Sequence, residues 1–129
     1  EAAAAYAAEQ AQGGKVGAVG VGWGGLMTGR TACNLSSVSA AVCYYGGGMT
    51  GEQEANRQAL VPVLAHFGTK DHYISLESVE AFKLAQPKVE VHVYEADHGF
   101  NCDQRGSYNE AAAALAGERT LAFFKQHLG

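Results

Sequence analysis

The stretch KVGAVGVGWGG at residues 15–25 constrains this chain more than any other part of it. Lys15–Val19 is a short run of apolar and small residues, the composition of a strand buried on both faces. Gly20 to Gly25 then supply a sharp turn and allow backbone to approach backbone closely. From Leu26 to about Leu35 the residues are mostly small and suit a helix. Strand, tight turn and helix in that order open a βαβ unit, which commits the chain to a parallel sheet with right-handed crossovers.

The rest of the sequence keeps that alternation. Residues 1–12 are nearly all Ala, Glu and Gln, strong helix formers, and Gly13 and Gly14 stop them. Val38–Tyr45 reads as a second buried strand closed by Gly46–Gly48, and Glu52–Ala59 as a short helix. Val61–Phe67, with Pro62 near its start, is a third strand ended by Gly68. Ser75 opens a helix to about Ala85, with Glu77 and Glu80 favourable to its N-terminal dipole. Val89–Glu95 alternates and reads as a fourth strand. Ser107 is the expected cap of a last helix running to about Leu128, with Leu115, Leu121, Phe124 and Leu128 on its apolar side. The expectation is a single α/β domain over residues 1–129, about four parallel strands with helices on both faces, without repeat or linker.

Charge and composition then exclude function classes. Net charge is −4, and the nine Lys and Arg are scattered singly, so no basic stripe is present to follow a phosphate backbone. A nucleic-acid partner is not expected. No apolar run approaches the ~18 residues of a membrane span. The opening EAAAAYAAEQ lacks the basic and apolar regions of an export signal. Cys33, Cys43 and Cys102 are odd in number and widely spaced, which indicates neither a disulfide framework nor a zinc site and makes a reducing cytoplasm the default. No His, Cys, Asp and Glu cluster has metal-ligand spacing.

Three readings of the glycine turn compete. Gly20-Val21-Gly22-Trp23-Gly24-Gly25 matches G-x-G-x-x-G, the dinucleotide fingerprint, but that site also needs an acid at the end of the next strand, about twenty residues on. That strand ends Cys43-Tyr44-Tyr45-Gly46, with no acid. A purely structural turn is the second reading. The third is a nucleophile elbow, spaced G-x-nucleophile-x-G between strand and helix, with its acid and then its His following in chain order. Gly20-Val21-Gly22-Trp23-Gly24 has that spacing, Asp71 stands just past the third strand, and His98 just past the fourth. In a parallel sheet all three loops emerge at the strands' carboxyl ends, where such sheets bind ligands.

From Lys15 to Phe124 the sequence resembles the dienelactone hydrolase (carboxymethylenebutenolidase) family of α/β-hydrolases. The pieces that carry the resemblance are KVGAVGVGWGG, AAVCYYGG, PVLAHFGTKDHYIS, VYEADHGF, and Arg105-x-x-Tyr108 followed by GERTLAFF. The resemblance implies the C-terminal half of an α/β-hydrolase fold, because the family's chain is about twice as long. It implies Asp71 as triad acid, His98 as triad base, and the Trp23 N–H as one oxyanion donor. The family's nucleophile is usually a Cys, and its place here is Gly22, whose side chain is absent. The place of an arginine that holds a substrate carboxylate is Cys102, and Arg105 lies further along. No cofactor is implied.

The function expected is therefore hydrolysis of small carboxylic esters or lactones, very weak or absent for want of the nucleophile. The alternative is a non-catalytic module for small ligands, or the trailing half of a split hydrolase. The strand at Lys15–Val19 loses its former neighbours, so a homodimer or pairing with a missing N-terminal half is expected. Among other candidates, His66 and His92 read as satisfied core or surface histidines. His72 falls in a variable loop. Cys102 reads as a small loop residue rather than a displaced thiolate, and Tyr44 and Tyr45 as packing residues.

Overall fold

The computed structural model describes residues 15–34, 38–51 and 58–128. The helix expected over residues 1–12 and most of that expected over 52–59 lie outside these. Four strands, β1 (Gly17–Val21), β2 (Ala40–Tyr44), β3 (Val63–Gly68) and β4 (Val89–Tyr94), form one sheet in the order β1-β2-β3-β4. Every neighbouring pair is parallel. Among the described residues three helices accompany them: α1 (Trp23–Asn34), α2 (Leu76–Ala85) and α3 (Glu110–Leu128).

Strand periodicity shows which face each helix covers. A Cβ on Gly17 would meet Phe124 and Leu128 of α3, whereas one on Gly20 would meet Gly24 and Thr28 of α1. Residues 17 and 20 differ in parity and so point to opposite faces. Helices α1 and α3 therefore sandwich the sheet. Phe67, on β3, meets Phe82 of α2 with ring centroids 6.2 Å apart, while its neighbour His66 bonds to Thr120 of α3. β2 and β3 are buried throughout, as the inner strands of a covered parallel sheet must be.

The element boundaries shift by up to a few residues from the sequence expectation, and two of the shifts matter for the site and the core. The glycine turn contracts to Gly22 alone, because α1 begins at Trp23. Gly24 and Gly25 are helical, and Gly25 packs so tightly on the end of β2 that an added Cβ would lie 3.0 Å from the Tyr44 carbonyl oxygen. The last helix begins at Glu110, and its first turn is capped by Asn109, whose Oδ1 accepts the Ala112 N–H at 3.0 Å, not by Ser107. Its buried face carries Ala112, Ala116, Thr120 and Phe123; Leu115 and Leu121 are exposed, and Phe124 and Leu128 pack at the margin of the core. Small residues let the helix lie close to the sheet, and the Ala run hides that phase. Ser75 caps α2 as expected, accepting the Ser78 N–H at 3.1 Å.

Candidate functional site

All strands run the same way, so the loops after β1, β2, β3 and β4 open on one edge of the sheet. The loop after β1 is Gly22, at φ +57°. That is the left-handed region, where a residue with a Cβ pays roughly 1–2 kcal/mol. Its N–H donates to the Tyr44 carbonyl at 3.0 Å, and its own carbonyl accepts the Gly25 N–H at 2.9 Å, which starts α1. A Cβ built on Gly22 has nothing within 4 Å. The elbow is thus open on its side-chain side. The Trp23 N–H, first in the helix, has no intrahelical acceptor and is part of the positive end of the helix dipole.

After β3, Asp71 is held by the chain around it. Its Oδ1 accepts the N–H groups of Tyr73 at 2.7 Å and Ile74 at 2.9 Å, and its side chain is 0% exposed. Its Oδ2 lies 2.7 Å from His98 Nδ1, from the loop after β4. A carboxylate oxygen accepts, so the contact places a proton on Nδ1, and in the neutral ring Nε2 is then the nitrogen with the lone pair. The following loop is braced by Asp97, whose Oδ1 accepts the His98 backbone N–H at 2.7 Å and whose Oδ2 lies 3.6 Å from His72 Nε2. Each of the two loops thus presents an Asp and a His to the other. Tyr45 and Tyr73 flank His98, each with its ring centroid 5.1 Å from the imidazole.

Gly22, Trp23, Gly47, Tyr73, His98 and Arg105 line one open cleft of ≈ 340 Å³. Gly22, Trp23 and His98, singled out in the sequence, are gathered there, and Asp71 stands behind His98. Arg105 reaches the cleft by lying against Gly99, where a Cβ would come within 2.7 Å of its guanidinium. Cys102 is half-buried, with its N–H on the Gly99 carbonyl at 3.0 Å, and does not line the cleft. Sequence reasoning missed Tyr73 and Asp97. Each lies within two residues of an expected site residue, which is the signal that was there to use. Among the described residues no group of three metal-ligating side chains occurs, and no helix is long and apolar enough to cross a membrane.

A parallel sheet sandwiched by helices, with elbow, acid and histidine on the loops after β1, β3 and β4 at one edge, defines the α/β-hydrolase fold. The profile of the "Dienelactone hydrolase family" matches residues 1–128, and the chain belongs to that family. The "Carboxymethylenebutenolidase" of Pseudomonas putida is 39% identical over 129 residues, covering 95% of this chain and 54% of the relative. A crystal structure from Klebsiella pneumoniae described as a "Putative Dienelactone Hydrolase" superposes with a TM-score of 0.84 at 33% identity, over 96% of this chain and 57% of that one. A Pyrococcus furiosus esterase, 17% identical with a TM-score of 0.70, shares the fold over 89% of this chain and 55% of its own. The chain spans about half the length of the curated relatives it matches.

Proposed function

We propose that the cleft is a carboxylic ester or lactone hydrolase site in which Asp71 and His98 act as the orienting acid and the base, and in which Gly22 leaves the nucleophile position empty. The observation that carries this reading is the 2.7 Å contact between His98 Nδ1 and the fully buried Asp71 carboxylate, beside an elbow with no side chain. Acyl transfer through a triad needs an attacking atom, a base to take its proton and a group to hold the imidazole tautomer. The last two are supplied. Loss of the first lowers kcat by roughly 10⁶ in a serine protease, about 8 kcal/mol of transition-state stabilisation. What remains is general-base activation of a water by His98 Nε2, worth typically ~10²–10⁴-fold, with the Trp23 N–H toward the developing oxyanion and no covalent intermediate. Arg105, which lines the cleft, is the cation offered to a ligand carboxylate in this reading. The missing side chain equally favours a second reading, a module that binds small carboxylated ligands without turning them over.

The family's longer relatives support the same proposal for partners. β1 is an edge of the sheet among the described residues, and Val19 and Val21 on it are 58% and 51% exposed. An apolar edge of this kind is a template for further chain, which a second copy or the half carried by the relatives would supply. A monodisperse 13.5 kDa monomer at micromolar concentration in light scattering would contradict it.

The assignment of His98 is tested by giving it a nucleophile. In a Gly22→Cys variant, acylation of residue 22 by a nitrophenyl ester is followed by mass spectrometry. The rate is expected to fall at least about tenfold when His98→Ala is added, the low end of general-base effects. Equal rates with and without His98 would remove the base from the proposal.

A further inference from the structure

Beneath the cleft, on the sheet face covered by α3, lies a chain of buried polar groups that the proposed chemistry does not use. His66 is 0% exposed, and both its ring nitrogens are bonded: Nδ1 to Tyr94 Oη at 2.8 Å and Nε2 to Thr120 Oγ1 at 3.0 Å. Thr120 Oγ1 also lies 2.9 Å from Tyr44 Oη, and Arg119 Nη1 donates to Tyr94 Oη at 3.2 Å. Arginine only donates, so the Tyr94 oxygen accepts from it and its own hydroxyl proton is free for His66 Nδ1. His66 Nε2–H then donates to Thr120. Burial pushes the His66 pKa down to about 3, in keeping with a neutral ring that accepts at one nitrogen and donates at the other.

The hydroxyls fix two rings that continue toward the site. Phe100 is fully buried, and the rings of Tyr44, Tyr45 and Tyr94 surround it with centroids at 6.4, 5.2 and 5.3 Å. Phe100 follows His98 by two residues, joined through Gly99 at φ +80°. Tyr44 works on the other side of the cleft as well, since its carbonyl accepts the Gly22 N–H at 3.0 Å. Phe100 packed in a purely apolar pocket would be held as tightly, because a buried polar network gains little over well-packed apolar groups unless every member is satisfied. What hydrogen bonds add is direction: they fix where along the sheet each ring stops.

We propose that Thr120, His66 and Tyr94 are positioning residues for His98, acting through the Tyr44, Tyr94 and Phe100 rings, so that α3 sets the pose of the histidine against Gly22. This rests on the reading of Asp71 and His98 as the working pair, and the experiment separates the two. The readout is the downfield NMR resonance of the His98 Nδ1 proton and its rate of exchange with water, on the 129-residue chain as it stands. Thr120→Val keeps the shape but removes the hydroxyl, leaving His66 Nε2–H and Tyr44 Oη without their shared partner; Thr120→Ser restores it. Loss of one net hydrogen bond, about 1–1.5 kcal/mol, corresponds to about tenfold faster exchange in Thr120→Val. Thr120→Ser is expected to exchange within about twofold of the unmodified chain. Tyr94→Phe, which unpairs His66 Nδ1 from the other end, should reproduce the Thr120→Val effect and carries the test alone if the valine variant does not fold. Asp71→Asn is the control. If Asp71→Asn leaves the resonance unchanged, the working pair itself is wrong. If Asp71→Asn removes it while folded Thr120→Val or Tyr94→Phe leaves it as in the unmodified chain, the pair stands and the positioning role is overturned.

Discussion

Gly22 and Gly20 stand two residues apart at the elbow and are glycine for different reasons. Gly22 has φ +57° and open space around its Cβ position; Gly20 has ordinary backbone, but a Cβ there would lie 2.2 Å from the Gly24 carbonyl oxygen and 2.3 Å from Thr28 Oγ1. Gly22→Ala is therefore expected to cost about 1–2 kcal/mol, from backbone conformation alone. Gly20→Ala is expected to cost about 3 kcal/mol or more, because the Gly24 carbonyl that crowds it is backbone and cannot swing away. Urea unfolding of the two variants compares them directly. Equal costs would mean that the elbow is not wound as described. Strain of a similar kind sits at Tyr45, whose φ is +36°, a feature that nothing in Cys43-Tyr44-Tyr45-Gly46 announces. Positive φ at a residue other than glycine arises from packing, here of the Tyr45 ring between His98 and Phe100.

Two further residues carry predictions through their ionisation. The His66 pKa lies near 3 in the folded protein, against an unfolded value of ~6.5. The unfolded chain takes up that proton first, so this contribution to stability is complete above about pH 6.5 and is lost as pH falls toward about 3. Between pH 7 and pH 5 it amounts to about 2 kcal/mol. A His66→Phe variant, less stable at pH 7, should lose about that much less over the same interval in denaturant titrations. An identical loss would show that the ring is not held neutral. Cys43, fully buried on β2, has its thiol pushed up to about 12 by desolvation. It should stay unmodified by iodoacetamide at pH 8 in the folded protein and react only on unfolding, as peptide mapping would show.

Among the elements, the strands and the strand-to-helix elbow were legible because they depend on local pattern: three short apolar runs ended by glycine, and a fourth that alternates. The helix α3 was legible in its extent but only partly in its buried face. Its Ala-rich first half offers no contrast between faces, and the leucines drew the apolar side to Leu115 and Leu121, whereas Ala112, Ala116, Thr120 and Phe123 are buried, with the expected Phe124 and Leu128 packed beside them. A close helix–sheet approach selects small side chains, and the polar Thr120 is buried because Tyr44 and His66 meet it there. The consequence is measurable. Ala116→Leu should destabilise the protein by about 1–3 kcal/mol through overpacking, while Leu121→Gln, at a position 72% exposed, should stay within about 0.5 kcal/mol. The reverse ranking in thermal unfolding would put the leucine face back against the sheet.

At the scale of the whole molecule, the site was legible as an order of residues before it was visible as a place. Elbow, acid and histidine in that sequence, each following a strand, meet at one edge only because every strand runs parallel, and the 2.7 Å contact across 27 residues is what that topology delivers. Tyr73 and Asp97 were signalled only by their nearness to Asp71 and His98, and the ring contacts of Tyr45 and Tyr73 with His98 depend on how separate loops close over one another. The central claim is that His98 is a working base beside an elbow with no nucleophile of its own. Stopped-flow release of nitrophenol from an activated ester by the unmodified protein tests it most directly. The account predicts a slow, linear release from the first turnover, abolished by His98→Ala. A burst equal to the protein concentration would contradict it, because an acyl intermediate requires a side-chain nucleophile, and Cys102 would then be the first residue to replace.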